Sequence, residues 1–364
     1  MSNETRILLR PEYFGDKERT LVEHGELVAS TFRYDSGVEA LRMRNGRGEI
    51  IVLPFHGQQV WDARFDGRRL TMQSRFAEPR RTHEYLLNYG AFLIHCGATA
   101  MGNPGPGDAH PLHGELPNAP YESAFLEAGD DPEGAFLSVG GQYHHTVAFG
   151  CDYAARPRVT LRAARSILSV GMEIENLMRG PMELMYLVHV NFRPVDNGRL
   201  VYSAPCTPQT VRVRTNVPPT IHPPVGYTDF LKQLAEDPSR HEILKPGLPF
   251  DPEVVMMLTY TADTEGWGRS MMVHPDGCAS YIGHKLDTLD HAVRWISRTV
   301  DQDCIGLALP ATAESDGYHA EKAKGNVKLL PGGSTMRFAL EAGLLTPDAA
   351  KSMEASIARV LSRH

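Results

Sequence analysis

Long stretches of this 364-residue chain alternate apolar and polar residues one by one, and that period commits them to extended strands. Val159, Leu161 and Ala163 alternate with Arg158, Thr160 and Arg162. Further on, Leu168, Val170, Met172 and Ile174 alternate with Ser169, Gly171, Glu173 and Glu175. Successive side chains of a strand point to opposite faces, so each such segment buries one face and wets the other; a helix of 3.6 residues per turn cannot satisfy the pattern. Between the apolar runs lie turn formers, Phe65-Asp66-Gly67, Met178-Arg179-Gly180-Pro181, Asp196-Asn197-Gly198 and His274-Pro275-Asp276-Gly277, of the kind that link antiparallel strands. The expectation is an all-β chain whose meander packs as a large sandwich with a broad concave face.

Helical spacing is confined to a few places, chiefly Tyr227 to Glu236 and a C-terminal run from Thr346 to Leu361, where Thr346 caps and Pro347 takes the first helical position. Both are expected at the periphery. The proline-rich segment 217–252 reads as an insertion between strands, because alternation resumes at Glu253, and 346–364 reads as a C-terminal helix. No solvated linker interrupts the strand series from Glu49 to Leu345, so one domain over 1–364 is expected.

Composition excludes several classes of function. A hydrophobic content of 42% supports a large core, and a formal charge of -7 without a basic stripe argues against a nucleic-acid partner. The first ten residues lack the apolar centre of a signal peptide and no later run is long enough to span a bilayer, so a soluble, cytoplasmic protein with no membrane partner is expected. Five cysteines, an odd number without a Cys-x-x-Cys pair, read as reduced core thiols and not as a disulfide framework or zinc ribbon.

Among 16 histidines, two stand in informative surroundings: His113 in His110-Pro111-Leu112-His113-Gly114-Glu115, and His189 in His189-Val190-Asn191-Phe192. An imidazole with an unperturbed pKa of ~6.5 serves as acid, base or neutral hydrogen-bond partner near neutral pH. Two of them at separate strand ends suit a sugar oxygen. The competing readings are a turn histidine for His113 and a satisfied core histidine for His189. Asn191 and Asp196 are placed to orient ligand hydroxyls or to satisfy strand-end backbone groups. Trp295 offers a stacking surface or a core side chain, and Arg298 a grip on an acidic sugar or a salt bridge. His110 adds a further substrate-binding candidate, while Glu115 and Glu122 read as supports for His113 or as solvated loop charges.

Three segments together carry a family resemblance. Ile50 to Trp61 around Gly57, followed by Phe65-Asp66-Gly67, looks like the opening strands of aldose 1-epimerases. Pro111-Leu112-His113-Gly114-Glu115 resembles their Leu-His-Gly segment, and Leu187-Val188-His189-Val190-Asn191-Phe192 their second histidine strand. The resemblance is nearest to the mutarotase-like branch grouped as DUF4432 and extends from about Glu49 to Leu345. It implies the galactose-mutarotase-like β-supersandwich, with a few short peripheral helices, and a small-molecule carbohydrate as ligand.

The resemblance also implies roles. His189 matches the family's general acid, which protonates the ring oxygen as the hemiacetal opens, and His113 the histidine that binds and polarises that oxygen. The family's catalytic glutamate has no counterpart, because Leu309 occupies its place in Ile305 to Thr312. Glu314 is taken as the nearest replacement base, with Asp316 and Glu321 behind it. The arginine that usually precedes the Leu-His-Gly segment is missing from Gly97 to Gly105, so ordinary hexose specificity does not carry over.

The expected function is therefore a sugar mutarotase or epimerase working by general acid-base chemistry without a cofactor. A second reading uses His110, His113 and His189, with Glu115 or Glu314, to hold a divalent metal ion for isomerisation, epimerisation or elimination on a keto-sugar. A third, kept open by Leu309, is a non-catalytic carbohydrate-binding protein. An exposed sheet edge would allow a homodimer.

Overall fold

In a computed structural model that describes residues 4–217 and 223–363, the alternating segments form two large sheets in which every strand pairing is antiparallel. The nine-stranded sheet carries the two most regular alternations, in Asp152–Arg162 and Ile167–Asn176, paired Val159 to Val170. There Val159, Leu161, Leu168, Val170, Met172 and Ile174 are buried, while their neighbours Arg158, Thr160, Ser169 and Glu173 reach solvent. Burying each large aliphatic side chain contributes ~1.5–3 kcal/mol, which fixes the register: a slip by one residue would expose the whole set.

The thirteen-stranded sheet runs, in spatial order, from Val211–Val213 through Val254–Leu258, His291–Arg298, Asp303–Ala311 and Met182–Val190 to Leu93–Ala98, and on to the N-terminal strands. Its central strands, Val254–Leu258, Asp303–Ala311, Met182–Val190 and Leu93–Ala98, are buried on both faces. Leu184, Tyr186, Val188 and Val190 enter the main core between the sheets, and the intervening Met185 and Leu187 enter a second cluster on the outer side. Loops cover that outer side, and this is where the sheet opens into a cleft.

Three α-helices lie outside the sheets. α1 (Tyr227–Glu236) falls in the expected insertion, whose residues 218–222 lie outside those described. It is less marginal than its sequence suggests, because Phe230, Leu231 and Leu234 belong to the main core. α2 (Tyr318–Lys324) was not evident from periodicity, being less than two full turns long. α3 (Pro347–Leu361) is capped by Thr346, whose hydroxyl accepts from the Ala349 amide at 3.4 Å, and it packs Ala350 and Ile357 on the outer face of the smaller sheet. Among the described residues no helix is long and apolar enough to cross a membrane.

Candidate functional site

Four adjacent strands of the larger sheet send alternate side chains to its outer face: Leu187 and His189, then Leu309, then Val293 and Trp295, then Glu253 and Val255 beside the fourth. With loop residues above them they line a cleft of about 580 Å³, within the ~300–1,000 Å³ range of small-molecule sites. His189 is reached by the alternation of its strand, whose odd positions from Met185 face outward.

His113 comes from the loop between Leu93–Ala98 and Ser123–Asp131, and the backbone of that loop is held tightly. The Gly97 amide donates to the His113 carbonyl at 2.9 Å, the His113 amide donates to the Gly102 carbonyl at 3.0 Å, and the Leu116 amide donates to the Gly97 carbonyl at 2.8 Å. His113 and Gly114 both have positive φ, 60° and 77°. A Cβ on Gly114 would lie 2.3 Å from the Ala100 carbonyl oxygen, so only glycine fits behind this histidine. Glu115 anchors the same loop by accepting from the Thr99 amide at 3.0 Å and from the Tyr153 hydroxyl at 2.7 Å.

The two imidazoles meet with ring centres 5.6 Å apart and planes nearly perpendicular. Tyr85 lies 4.9 Å from His113, and Trp295 lies 5.4 Å from His189 and 6.0 Å from Tyr89. Burial disfavours charge on all of these groups. It draws His189 down to about 4, partly offset by its bond to Asn191, and His113 down to about 3 with the help of neighbouring His189 and His110. The same burial holds the Tyr85 and Tyr89 phenols far above their usual range, so the pair is neutral and its aromatic surroundings uncharged near pH 7.

Behind His189 sits a closed hydrogen-bond array. Its Nδ1 lies 2.7 Å from Asn191 Oδ1, and Asn191 Nδ2 donates to the Ala91 carbonyl at 3.0 Å. The Tyr89 hydroxyl donates to Asn191 Oδ1 at 3.3 Å, and the Cys304 thiol approaches the same oxygen at 3.5 Å. His113 differs: its Nδ1 is buried without a protein partner, and its Nε2 is the nitrogen left open to the cleft.

Two charged groups in the cleft escaped sequence reasoning. Glu253 accepts from Trp295 Nε1 at 2.6 Å and pairs through its other oxygen with Arg214, which also lines the cleft. The signal was present but weak: Glu253 is the polar residue that opens the apolar run Val254 to Leu258, and Arg214 continues the alternation of Val211 and Val213. Arg214 supplies a guanidinium where none precedes the Leu-His-Gly segment.

Of the residues singled out from sequence, His113, His189 and Trp295 come together, with Asn191 directly behind. Arg298, Asp196, His110, Glu314 and Glu122 do not line the cleft. Arg298 is taken up by Asp303, at 2.7 and 3.1 Å, and by Asp196 at 2.9 Å, which is the salt-bridge reading for Arg298 and a use of Asp196 that neither of its expected readings contained. His110 places Nδ1 2.8 Å from the Pro111 carbonyl and Nε2 3.6 Å from Asp108. Glu314 is paired with Arg212 and with Lys324, 2.8 Å away, so the carboxylate proposed as base is turned to two cations instead of the cleft. Glu122 accepts from the His144 amide at 3.1 Å, a structural use.

The donor atoms of His110, His113 and His189 do not converge on one point. Among the described residues the cluster with mutual ligand spacing is Glu314, Asp316 and Glu321, and there the Lys324 ammonium bonds all three carboxylates at 2.6 to 2.8 Å. A cation already occupies the centre of that cluster, and it belongs to the chain.

Residues 35–215 match the family model described as a domain of unknown function, DUF4432. No curated protein sequence matches the chain. Among solved structures, a candidate aldose 1-epimerase from Klebsiella pneumoniae superposes with a TM-score of 0.82 at 17% identity, covering 99% of this chain and 96% of that one. A galactose mutarotase-like protein from Clostridium acetobutylicum gives 0.56 at 12% identity, covering 88% and 99%. Galactose 1-epimerase from Lactobacillus acidophilus gives 0.51 at 10% identity, covering 94% and 99%. At these identities the likeness is one of fold, the mutarotase-like sandwich.

Proposed function

Because the chain carries a DUF4432 domain on a galactose mutarotase-like fold, we propose that it is a sugar epimerase that interconverts the anomers of a free sugar or sugar derivative. The observation that carries this reading is the meeting of His113 and His189, ring centres 5.6 Å apart, in a cleft of monosaccharide size. Anomer exchange requires that the anomeric hydroxyl lose a proton as the ring oxygen gains one, and two imidazoles at one end of a cleft are suited to both transfers. Trp295, Tyr85 and Tyr89 form apolar walls for the carbon face of a sugar ring. Arg214 and Glu253 at the far side supply a donor fork and an acceptor for hydroxyls, and as a paired, net-neutral couple they favour a neutral sugar over an acidic one.

The test is anomer exchange followed by magnetisation-transfer NMR or polarimetry across a panel of free aldoses and ketoses. Acceleration for at least one sugar is expected, with His189→Ala lowering turnover by ~10²–10⁴-fold, the usual worth of a proton-transfer group. A protein that accelerates exchange of no sugar in the panel would refute the proposal.

A further inference from the structure

Resting on the anomer-exchange reading, we propose that His189 is a two-way proton shuttle, taking the proton from the anomeric hydroxyl on Nε2 and handing it to the ring oxygen. His113 stays neutral throughout and only donates a hydrogen bond, so no carboxylate base takes part.

The amide of Asn191 fixes the argument. Its Nδ2 has its acceptor in the Ala91 carbonyl at 3.0 Å, so the end that faces His189 is Oδ1. An amide oxygen only accepts, and the contact with His189 Nδ1 is 2.7 Å; the proton in that bond therefore sits on Nδ1. The Tyr89 hydroxyl and the Cys304 thiol approach the same oxygen, as they would an acceptor. A neutral imidazole carries one ring proton, and with Nδ1 holding it, Nε2 presents a lone pair. The Tyr89 hydroxyl approaches Nε2 only to 3.5 Å, too long for a firm bond, so this lone pair is available to a ligand.

His113 has the opposite tautomer. Its Nδ1 is buried with no protein partner, and a proton there would be a buried donor left unmade. A leftover acceptor lone pair is the cheaper defect, so the proton belongs on Nε2, facing the cleft. Two neutral imidazoles of opposite tautomer thus stand side by side, one accepting and one donating.

The steps balance without a third group. His189 Nε2 takes the proton of the anomeric hydroxyl, the carbonyl forms at the anomeric carbon, and the bond from that carbon to the ring oxygen breaks. The ring oxygen, which shares that carbon, then takes the proton back from Nε2 while His113 Nε2–H stabilises its developing charge. His189 ends as it began. Leu309 fits this scheme, because the strand beside His189 presents no carboxylate that would hold the imidazole protonated at rest. Glu253 is a positioning residue: its oxygens are engaged by Arg214 and Trp295 Nε1, which fixes the aromatic wall. The other titratable groups around the pair, Tyr85, Tyr89, Cys96 and Cys304, are held neutral by burial.

Nitrogen-15 NMR of the full chain with labelled histidine tests the tautomers directly at pH 7, with His113→Asn and His189→Asn assigning the signals. The expected result is a protonated Nδ1 and bare Nε2 for His189, and the reverse for His113; a protonated Nε2 on His189 overturns the shuttle. A second measurement uses Asn191→Asp, whose carboxylate raises the basicity of His189 through Nδ1. The NMR midpoint of His189 and the acid limb of kcat should coincide in the natural chain and rise together in the variant. If the midpoint moves and the limb stays, another group is the base. Correct tautomers with no exchange of any sugar would sink the functional reading beneath the shuttle, whereas exchange with the wrong tautomers would sink the shuttle alone.

Discussion

Acid should unfold this protein well above the pH at which its carboxylates titrate. His56, His95, His189, His241, His274 and His284 are each less than 9% exposed, and burial lowers all six, to about 4 for His56, His189 and His274 and to about 3 for His95, His241 and His284. His241 has a second reason to stay neutral, since its Nε2 accepts from the Arg294 guanidinium at 2.7 Å. A histidine whose folded pKa lies below its unfolded value binds its proton in the unfolded chain first. Stability is therefore complete above the unfolded pKa of 6.5 and falls as pH drops from there toward 4. At pH 5.5 each of the six costs a little over 1 kcal/mol, about 8 kcal/mol together, comparable with the ~5–15 kcal/mol total stability of a folded domain. Urea titrations followed by tryptophan fluorescence at pH 7.5 and 5.5 measure the loss. His284→Leu, which removes a ring with neither nitrogen bonded to protein, should shrink it by one proton's share. A loss under about 3 kcal/mol over that interval would refute the reasoning, because these side chains would then be hydrated or protonated in the fold.

The remaining expectations concern the site and its supports. Gly114→Ala forces a Cβ to 2.3 Å from the Ala100 carbonyl oxygen, so it should displace His113 and cut anomer exchange by at least ~10-fold, with a lower thermal midpoint; full activity would mean the loop yields freely. Trp295→Ala should raise KM more than it lowers kcat, because it removes an apolar wall and leaves the proton-transfer groups in place; steady-state kinetics on the accepted sugar separates the two. Lys324→Met leaves the carboxylates of Glu314, Asp316 and Glu321 without their shared cation, and chemical denaturation at pH 7 should report a loss of ~2–4 kcal/mol, whereas an unchanged midpoint would mean that solvent screens the cluster.

Whether a residue's placement could be read from the chain alone depended on how local its cause is. The strands from Asp152 to Asn176 were legible because alternation acts between immediate neighbours, and the capped C-terminal helix because Thr346 and Pro347 act within one turn. His113 and His189 were legible because each carries its own support in sequence: Gly114 permits the left-handed turn behind one, and Asn191, two residues on, orients the other. The surroundings of Glu314 were not legible because its partners are set elsewhere, Arg212 being 102 residues away.

The pairing of Arg214 with Glu253, and of Glu253 with Trp295, is of this second kind. The strands that bring these residues together are ordered in space as 211–213, 254–258, 291–298, 303–311 and 182–190, which is not their order in the chain. Nothing in the spacing of Arg214, Glu253 and Trp295 announces that a sheet will set them side by side, because the insertion holding α1 separates the first two and a hairpin the third. Sheet order also sets the place of Leu309, on the strand 303–311. That strand lies between His189 and Trp295, so an apolar side chain there leaves the cleft floor continuous and the histidine uncharged.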